Sequence, residues 1–200
     1  MRRLICLVAI LMIPAACGVP SPTASKAPST TPTGEITSPP AASPTSTATA
    51  PSSCPRQTGG KVNHMLLKDV RVGTHSGYDR ITFEFTSSGE QSTPDVPEFE
   101  FTQSNSDLKY DGSGDPMVVN GNAFFSIVFH GASGYDSNQG YKPVYTGSRE
   151  FKPGFNILTE LEQAGDYEAT LSWAIGLSRL TCAVLKELKE PVRLVVDLPA

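Results

Sequence analysis

GTHSGYDRITFEF, residues 73–85, is the stretch that decides the fold. From Ile81 to Phe85 apolar and polar residues alternate strictly. A period of two places Ile81, Phe83 and Phe85 on one face and Thr82 and Glu84 on the other, the pattern of a half-buried strand. Just ahead of it His75, Tyr78, Asp79 and Arg80 crowd around a predicted turn, Gly73 to Gly77. Such a cluster can be an active site, a ligand clamp, or only the way the chain enters a strand.

The same period recurs outward from this stretch. Met65-Leu66-Leu67 leads into Val70-Arg71-Val72, a strand before the turn. Phe99-Glu100-Phe101 alternates, and Phe124 to Phe129 is an apolar run of strand length. YEATLSWAI, residues 167–175, reads as one strand with Tyr, Ala, Leu, Trp and Ile on one side. Ala183-Val184-Leu185 and Arg193 to Asp197 close the series. Phe155 to Ala164 fits a helical turn as well as a strand. Gly, Asn, Asp and Ser clusters separate these runs, at 87–89, 111–114, 120–122 and 131–134. Short strands broken by such turns predict an all-β domain, a sandwich or a barrel.

The region before Cys54 is different in kind. Arg2 and Arg3 precede a short apolar run, Leu4 to Ile13, then Pro14-Ala15-Ala16-Cys17-Gly18. About 10 apolar residues are too few to span a bilayer, which needs about 20, and the pattern is that of an export signal. Ala15-Ala16-Cys17-Gly18 resembles the lipobox of bacterial lipoproteins, in which the Cys thiol takes a diacylglycerol and the chain is cut before it. Pro14 departs from that pattern, which usually carries Leu there. The expected layout is a signal peptide over 1–16, then the lipidated Cys17 with a linker to residue 53. A domain over 54–200 follows. Ordinary cleavage, with release of the chain, is the rival reading.

Residues 18–53 are almost all Ser, Thr, Pro and Ala, with no aromatic residue and only Lys26 and Glu35 charged. Such a segment cannot bury enough apolar surface to offset its ordering entropy, so a disordered, extended tether is expected. Four cysteines occur. With Cys6 in the signal and Cys17 lipidated, Cys54 and Cys182 remain as a pair in an oxidising compartment. A bridge between them, or two unpaired buried thiols, are the two readings.

The formal net charge is −4 and no basic run exists, which argues against nucleic acid and against anionic headgroups as partners. Chemistry-bearing spacings are scarce. His64, His75 and His130 stand far apart, with no H-x-x-x-H or C-x-x-C. Asp111-Gly112-Ser113-Gly114-Asp115 begins like a calcium loop, but Pro116 and Asn122 occupy the places that need Gly and Glu. No G-x-S-x-G elbow is present, and Ser76 and His75, as strand neighbours, point apart. Glu84, Glu98 and Glu100 read as the solvated sides of strands. No catalytic residue, metal or cofactor is expected. Trp173, the single tryptophan, is either core or a platform for a sugar ring.

Three stretches together resemble the AMIN-like domain of exported proteins and lipoproteins in high-GC Gram-positive bacteria. They are Val70-Arg71-Val72-Gly73 through Tyr78-Asp79-Arg80-Ile81-Thr82-Phe83-Glu84-Phe85, then Asp111 to Gly114 with the apolar strand after it. The last is Thr170 to Leu177, followed by Pro191-Val192-Arg193-Leu194-Val195-Val196-Asp197-Leu198. The resemblance spans about residues 62–200. It implies a β-sandwich and a non-catalytic module that recognises peptidoglycan or an envelope assembly, with no amidase domain attached here. It implies no contact set. From the residues themselves, Tyr78, Arg80, Trp173 and Arg193 are the candidate ligand contacts. Arg80 and Arg193 have a second role open to them, each pairing with Asp79 or Asp197. A lipid or small-molecule carrier and a wall-acting hydrolase are the alternative functions. The expected location is outside the cytoplasm, held to the membrane by the lipid on Cys17.

Overall fold

Two sheets lie face to face, and the alternation around Ile81 explains why. The structure, a computed structural model, describes residues 51–89 and 94–200. The signal peptide, Cys17 and the linker up to residue 50 lie outside the described residues. In chain order the strands are β1 (Gln57–Gly59), β2 (Met65–His75), β3 (Tyr78–Ser87), β4 (Glu98–Ser104), β5 (Ala123–His130), β6 (Ala132–Ser133) and β7 (Tyr135–Asp136). They continue as β8 (Lys142–Pro143), β9 (Glu150–Phe151), β10 (Leu158–Tyr167), β11 (Thr170–Leu177), β12 (Val184–Lys189) and β13 (Val192–Pro199). A six-stranded sheet runs β1-β4-β5-β11-β10-β9, and a five-stranded sheet runs β12-β13-β3-β2-β6. The expected β-sandwich is what forms.

Ile81 and Phe83 are fully buried, and Phe85 nearly so. Across the interface they meet Phe129 and Trp173, with the Phe83 ring centroid 5.2 Å from Phe129 and 5.8 Å from Trp173, both edge-on. Edge-to-face pairs at this separation add to the gain from burying the rings. Phe101 stacks on Phe125 at 5.0 Å in the same core. Cys54 and Cys182 are bridged, closing 128 residues of sequence separation. The bridge ties the segment before β1 to the segment leading into β12.

Three expectations are corrected. The predicted turn over Gly73 to Gly77 is only Ser76-Gly77, because β2 runs on to His75 and pairs with Tyr78. Gly77 sits at φ +86°, where glycine alone is free of steric cost. The single strand read over residues 167–175 is a hairpin instead: β10 ends at Tyr167 and β11 begins at Thr170. Of the helical turn considered for Phe155 to Ala164, residues 158–164 are strand, the first part of β10, and 155–157 lead into it. Its apolar spacing misleads for a definite reason. The pairing of β10 with β11 slips between Leu158 and Glu160, so Leu158 and Leu161 both face the core three residues apart. A similar slip at Lys68 lets Leu67 and Val70 of β2 both point inward.

Candidate functional site

The outward positions of the five-stranded sheet form one open face. Register fixes its rows: Val184, Asp197, Arg80 and Gly73 lie side by side across β12, β13, β3 and β2. Lys186, Val195, Thr82 and Arg71 form the next row, and Leu188, Arg193, Glu84 and Asp69 the third. Two carboxylates anchor the charges. Asp197 accepts from Arg80 Nε at 2.6 Å and Nη2 at 2.9 Å, and from Lys186 Nζ at 2.9 Å. Glu84 accepts from Arg71 Nη2 at 2.8 Å and lies 2.9 Å from Lys68 Nζ.

The acids lie under the cations. The Glu84 and Asp197 side chains are only 10% and 9% exposed, against 57% for Lys68, 47% for Arg71 and 55% for Lys186. The expectation that Glu84 is a solvated acid is therefore corrected: it faces outward, but its basic neighbours cover it. The Arg80 guanidinium beside Asp197 holds that carboxyl below the usual carboxylate range, with Lys186 adding to it. Lys68 and Arg71 do the same for Glu84. Charge-assisted bonds to partly desolvated carboxylates are the strong kind, so these pairs are more than loose surface contacts.

The opening cluster resolves here. Tyr78 stacks on His75 with ring centroids 4.7 Å apart, and the Arg80 guanidinium lies 5.1 Å over the Tyr78 ring. Asp79 faces the other way. It is buried, and its Oδ2 accepts the backbone N–H groups of Ile157 at 2.7 Å and Leu158 at 2.9 Å. So Asp79 pairs with no arginine; it ties β3 of one sheet to the start of β10 in the other. Arg193 does not reach Asp197 either, and its Nε donates to the Pro191 carbonyl at 3.3 Å. Of the four candidate contacts, Tyr78, Arg80 and Arg193 share the open face. Trp173 is fully buried between the sheets. It takes the core role, and no face of its indole is left for a sugar ring. Sequence reading also missed Lys68, Arg71 and Lys186 as members of the face; the signal available was their register with Arg80, which needs the pairing to be known.

The outer side of the six-stranded sheet is covered. The segment 105–122 lies across it, with Met117 and Val119 packed on Ala174 and flanked by Leu108, Phe124 and Ala164. Asp111, from the stretch that begins like a calcium loop, accepts the Ser172 hydroxyl and so pins this strap to β11. Beside the strap, Glu150, Glu160 and Glu162 bring carboxylate oxygens within 4.8 Å of one another. These are the positions the described residues offer a cation. Lys152 Nζ already bridges two of them, 2.5 Å from Glu150 and 3.6 Å from Glu160. At one end of the sandwich an open cleft of about 610 Å³ is lined by Met65, Leu66, Ser88, Ala132, Tyr135 and Asp136. Asp136 is used internally there, accepting from Asn138 N and Gln139 Nε2.

Fold and face together define a filled β-sandwich presenting a flat, charged sheet surface, the build of a binding module. The family model of the AMIN-like domain matches residues 65–200, and the chain belongs to the AMIN-like domain family. That family is associated with envelope and peptidoglycan binding outside the cytoplasm, and with targeting in place of catalysis. Neither a comparison with curated proteins nor one with solved structures gave a match. Among the described residues no helix is long and apolar enough to cross a membrane.

Proposed function

We propose that the chain is a non-catalytic binding or scaffolding lipoprotein of the cell envelope, and that the open face of the five-stranded sheet is its contact surface. Lipid on Cys17 holds it to the membrane, and residues 17–53 tether the domain above it. The observation that carries this reading is the gathering of Tyr78 and Arg80, from one stretch of sequence, with the distant Arg193 on one face that the described residues leave open. The interior supports binding over carriage, since Trp173, Phe83, Phe101, Phe125 and Phe129 fill it. Of the acids considered for hydrolysis, Glu84 is engaged by Lys68 and Arg71, and Glu100 by Arg56 and Thr102.

Co-sedimentation of the full chain with purified cell wall, at low and high salt, tests the proposal. Saturable binding that is weakened by Tyr78→Ala and Arg193→Ala supports it. Absence of binding under both conditions sinks the wall as the ligand. For the anchor, mass spectrometry of the native N-terminus should find a diacylglyceryl group on Cys17, and a Cys17→Ala variant should appear in the medium.

A further inference from the structure

We infer that the open face takes a linear, phosphate-bearing polymer of the wall, laid across β12, β13, β3 and β2; this rests on that face being the contact surface proposed above. Among the described residues the face carries five cations, Lys68, Arg71, Arg80, Lys186 and Arg193, against three carboxylates, Asp69, Glu84 and Asp197, a net of +2. The whole chain is at −4. A positive face on an acidic protein is a local feature that total charge hides, and such a surface concentrates polyanions while the rest of the molecule repels them.

The depth of the charges sharpens the match. Glu84 and Asp197 are sunk beneath their basic neighbours, so a ligand approaching the sheet meets ammonium and guanidinium groups first. The donors that remain suit phosphate, which takes single and forked donors alike. Arg80 commits Nε and Nη2 to Asp197, and Arg71 commits one Nη to Asp69 and the other to Glu84. Those two forks, which match carboxylate and phosphate alike, are already filled from within the protein. What remains is the further N–H groups of the Lys68 and Lys186 ammoniums, Nη1 of Arg80, and the Nη pair of Arg193, a fork in its own right. Donors spread over a surface suit oxygens on successive tetrahedral phosphates.

Extent argues for a chain-like ligand. Each of the four strands contributes at least one cation, and strands about 4.8 Å apart set these groups over roughly 14 Å. A linear polymer can meet several of them at once, and the contacts then reinforce one another. A bilayer fits less well, because surface anchoring draws on an apolar face that enters the headgroup layer. Here the outward apolar groups, Val184 and Leu188, sit on the edge strand on either side of Lys186.

The test uses the full chain and linear inorganic polyphosphate as probe, with purified wall and anionic phospholipid vesicles in parallel. The informative variant is K68Q/K186Q/R193Q. It leaves Arg71 on Glu84 and Arg80 on Asp197, so neither sunken carboxylate loses its arginine, and an unchanged melting temperature verifies the fold. Wild type should bind polyphosphate with salt-dependent affinity. The variant should bind at least tenfold more weakly, and the slope of log affinity on log salt should flatten by about 2 for three lost contacts to a single-stranded polyanion. Equal binding by both proteins overturns the assignment to this face. Binding to wall with none to polyphosphate overturns the phosphate inference and leaves the contact surface standing. Binding to vesicles alone overturns the choice of a wall polymer, and binding to nothing overturns both readings.

Discussion

The two outer faces of the sandwich come from the same strand period and have opposite fates. On the five-stranded sheet the outward positions include Arg71, Arg80, Thr82, Glu84, Lys186 and Asp197, which need water or each other, with Val184, Val195 and Leu188 among them. On the six-stranded sheet they include Phe124, Ser126, Ala164, Ser172, Ala174 and Gly176, with Glu160 among them buried and bonded to the Asn120 N–H, and Glu98, Glu100 and Glu162 farther out. Small and apolar outward residues invite a cover, and residues 105–122 supply it. The paired charges of the five-stranded sheet carry no such cover among the described residues. The difference shows that a sheet's outward side chains decide whether it binds something else or only its own loop.

The largest effect expected is one that breaks both faces together. Trp173→Ala empties the centre of the shared core and should cost about 3–5 kcal/mol, read by urea unfolding. Arg193→Ala, half-buried on the open face with one long hydrogen bond, should change stability by less than about 0.5 kcal/mol. Near-equal costs would mean that the core and the face are not the separable parts described here.

The cover can be tested next. A Cβ on Gly176 would stand 1.9 Å from the Asn120 carbonyl oxygen and 2.8 Å from Val119, so the strap lies where only glycine allows it. Gly176→Ala should cost about 3 kcal/mol, at the upper end for overpacking, since the obstacle is backbone. Hydrogen exchange should rise at Met117 and Asn122, whose N–H groups bond Leu108 and Leu177, while wall binding stays unchanged. Loss of wall binding in this variant would move the contact surface to the covered side.

On the open face, stability and binding should part company. Asp197→Asn removes the charge that holds Arg80 and Lys186, and should cost about 1–2 kcal/mol. It also raises the net charge of the face from +2 to +3, so polyphosphate affinity should increase. The same pairs set an acid limit. Both Asp197 and Glu84 have lowered pKa values in the folded state, so their stabilisation is complete above the unfolded values near pH 4 and is lost as pH falls through the folded ones. The wild type should lose stability progressively below about pH 4, and Asp197→Asn with Glu84→Gln should flatten that decline. An unchanged acid profile would show that the pairs contribute nothing net.

Much of this architecture was legible in the sequence wherever period two was unbroken. Ile81, Phe83 and Phe85, the apolar run of β5, and the approximate places of β4 and β13 followed from it. The Cys54–Cys182 bridge followed from counting cysteines, although a free pair stayed open. What was not legible had one cause, that neighbours in space were distant in sequence. Lys186 and Arg80 meet only because β13 lies between their strands, so a face of net +2 carried no basic run. Asp79, read as a carboxylate for Arg80 or Arg193 to pair with, belongs to the opposite face by the same alternation that places Ile81. The slip in β10 gave Leu158 and Leu161 a helical spacing, which left strand and helical turn both open there, whereas the β2 stretch still read as a strand. Of the candidate contacts, Trp173 was a choice between core and platform, and its alternation with Leu171 and Ile175 favoured the core side that it takes.

The smallest effect sharpens the contrast at the two hairpins. Both β2–β3 and β10–β11 turn in two residues, Ser76-Gly77 and Glu168-Ala169. The first uses glycine at its positive φ of +86°. The second places Glu168 at φ +48° and Ala169 at φ +57°, a left-handed pair that favours Asn-Gly and costs other residues about 1 kcal/mol each. Packing holds it there, since the Ala169 carbonyl accepts the N–H groups of both Gly131 and Ala132. Replacing Glu168-Ala169 by Asn-Gly keeps that carbonyl in place and relieves the steric cost, partly offset by the freer unfolded chain that glycine brings. The variant should therefore gain about 1 kcal/mol, seen as a higher urea midpoint at unchanged slope. A loss of stability would mean that the Glu168 or Ala169 side chain supports the hairpin in its own right, and that the two turns differ by contact as well as by backbone conformation.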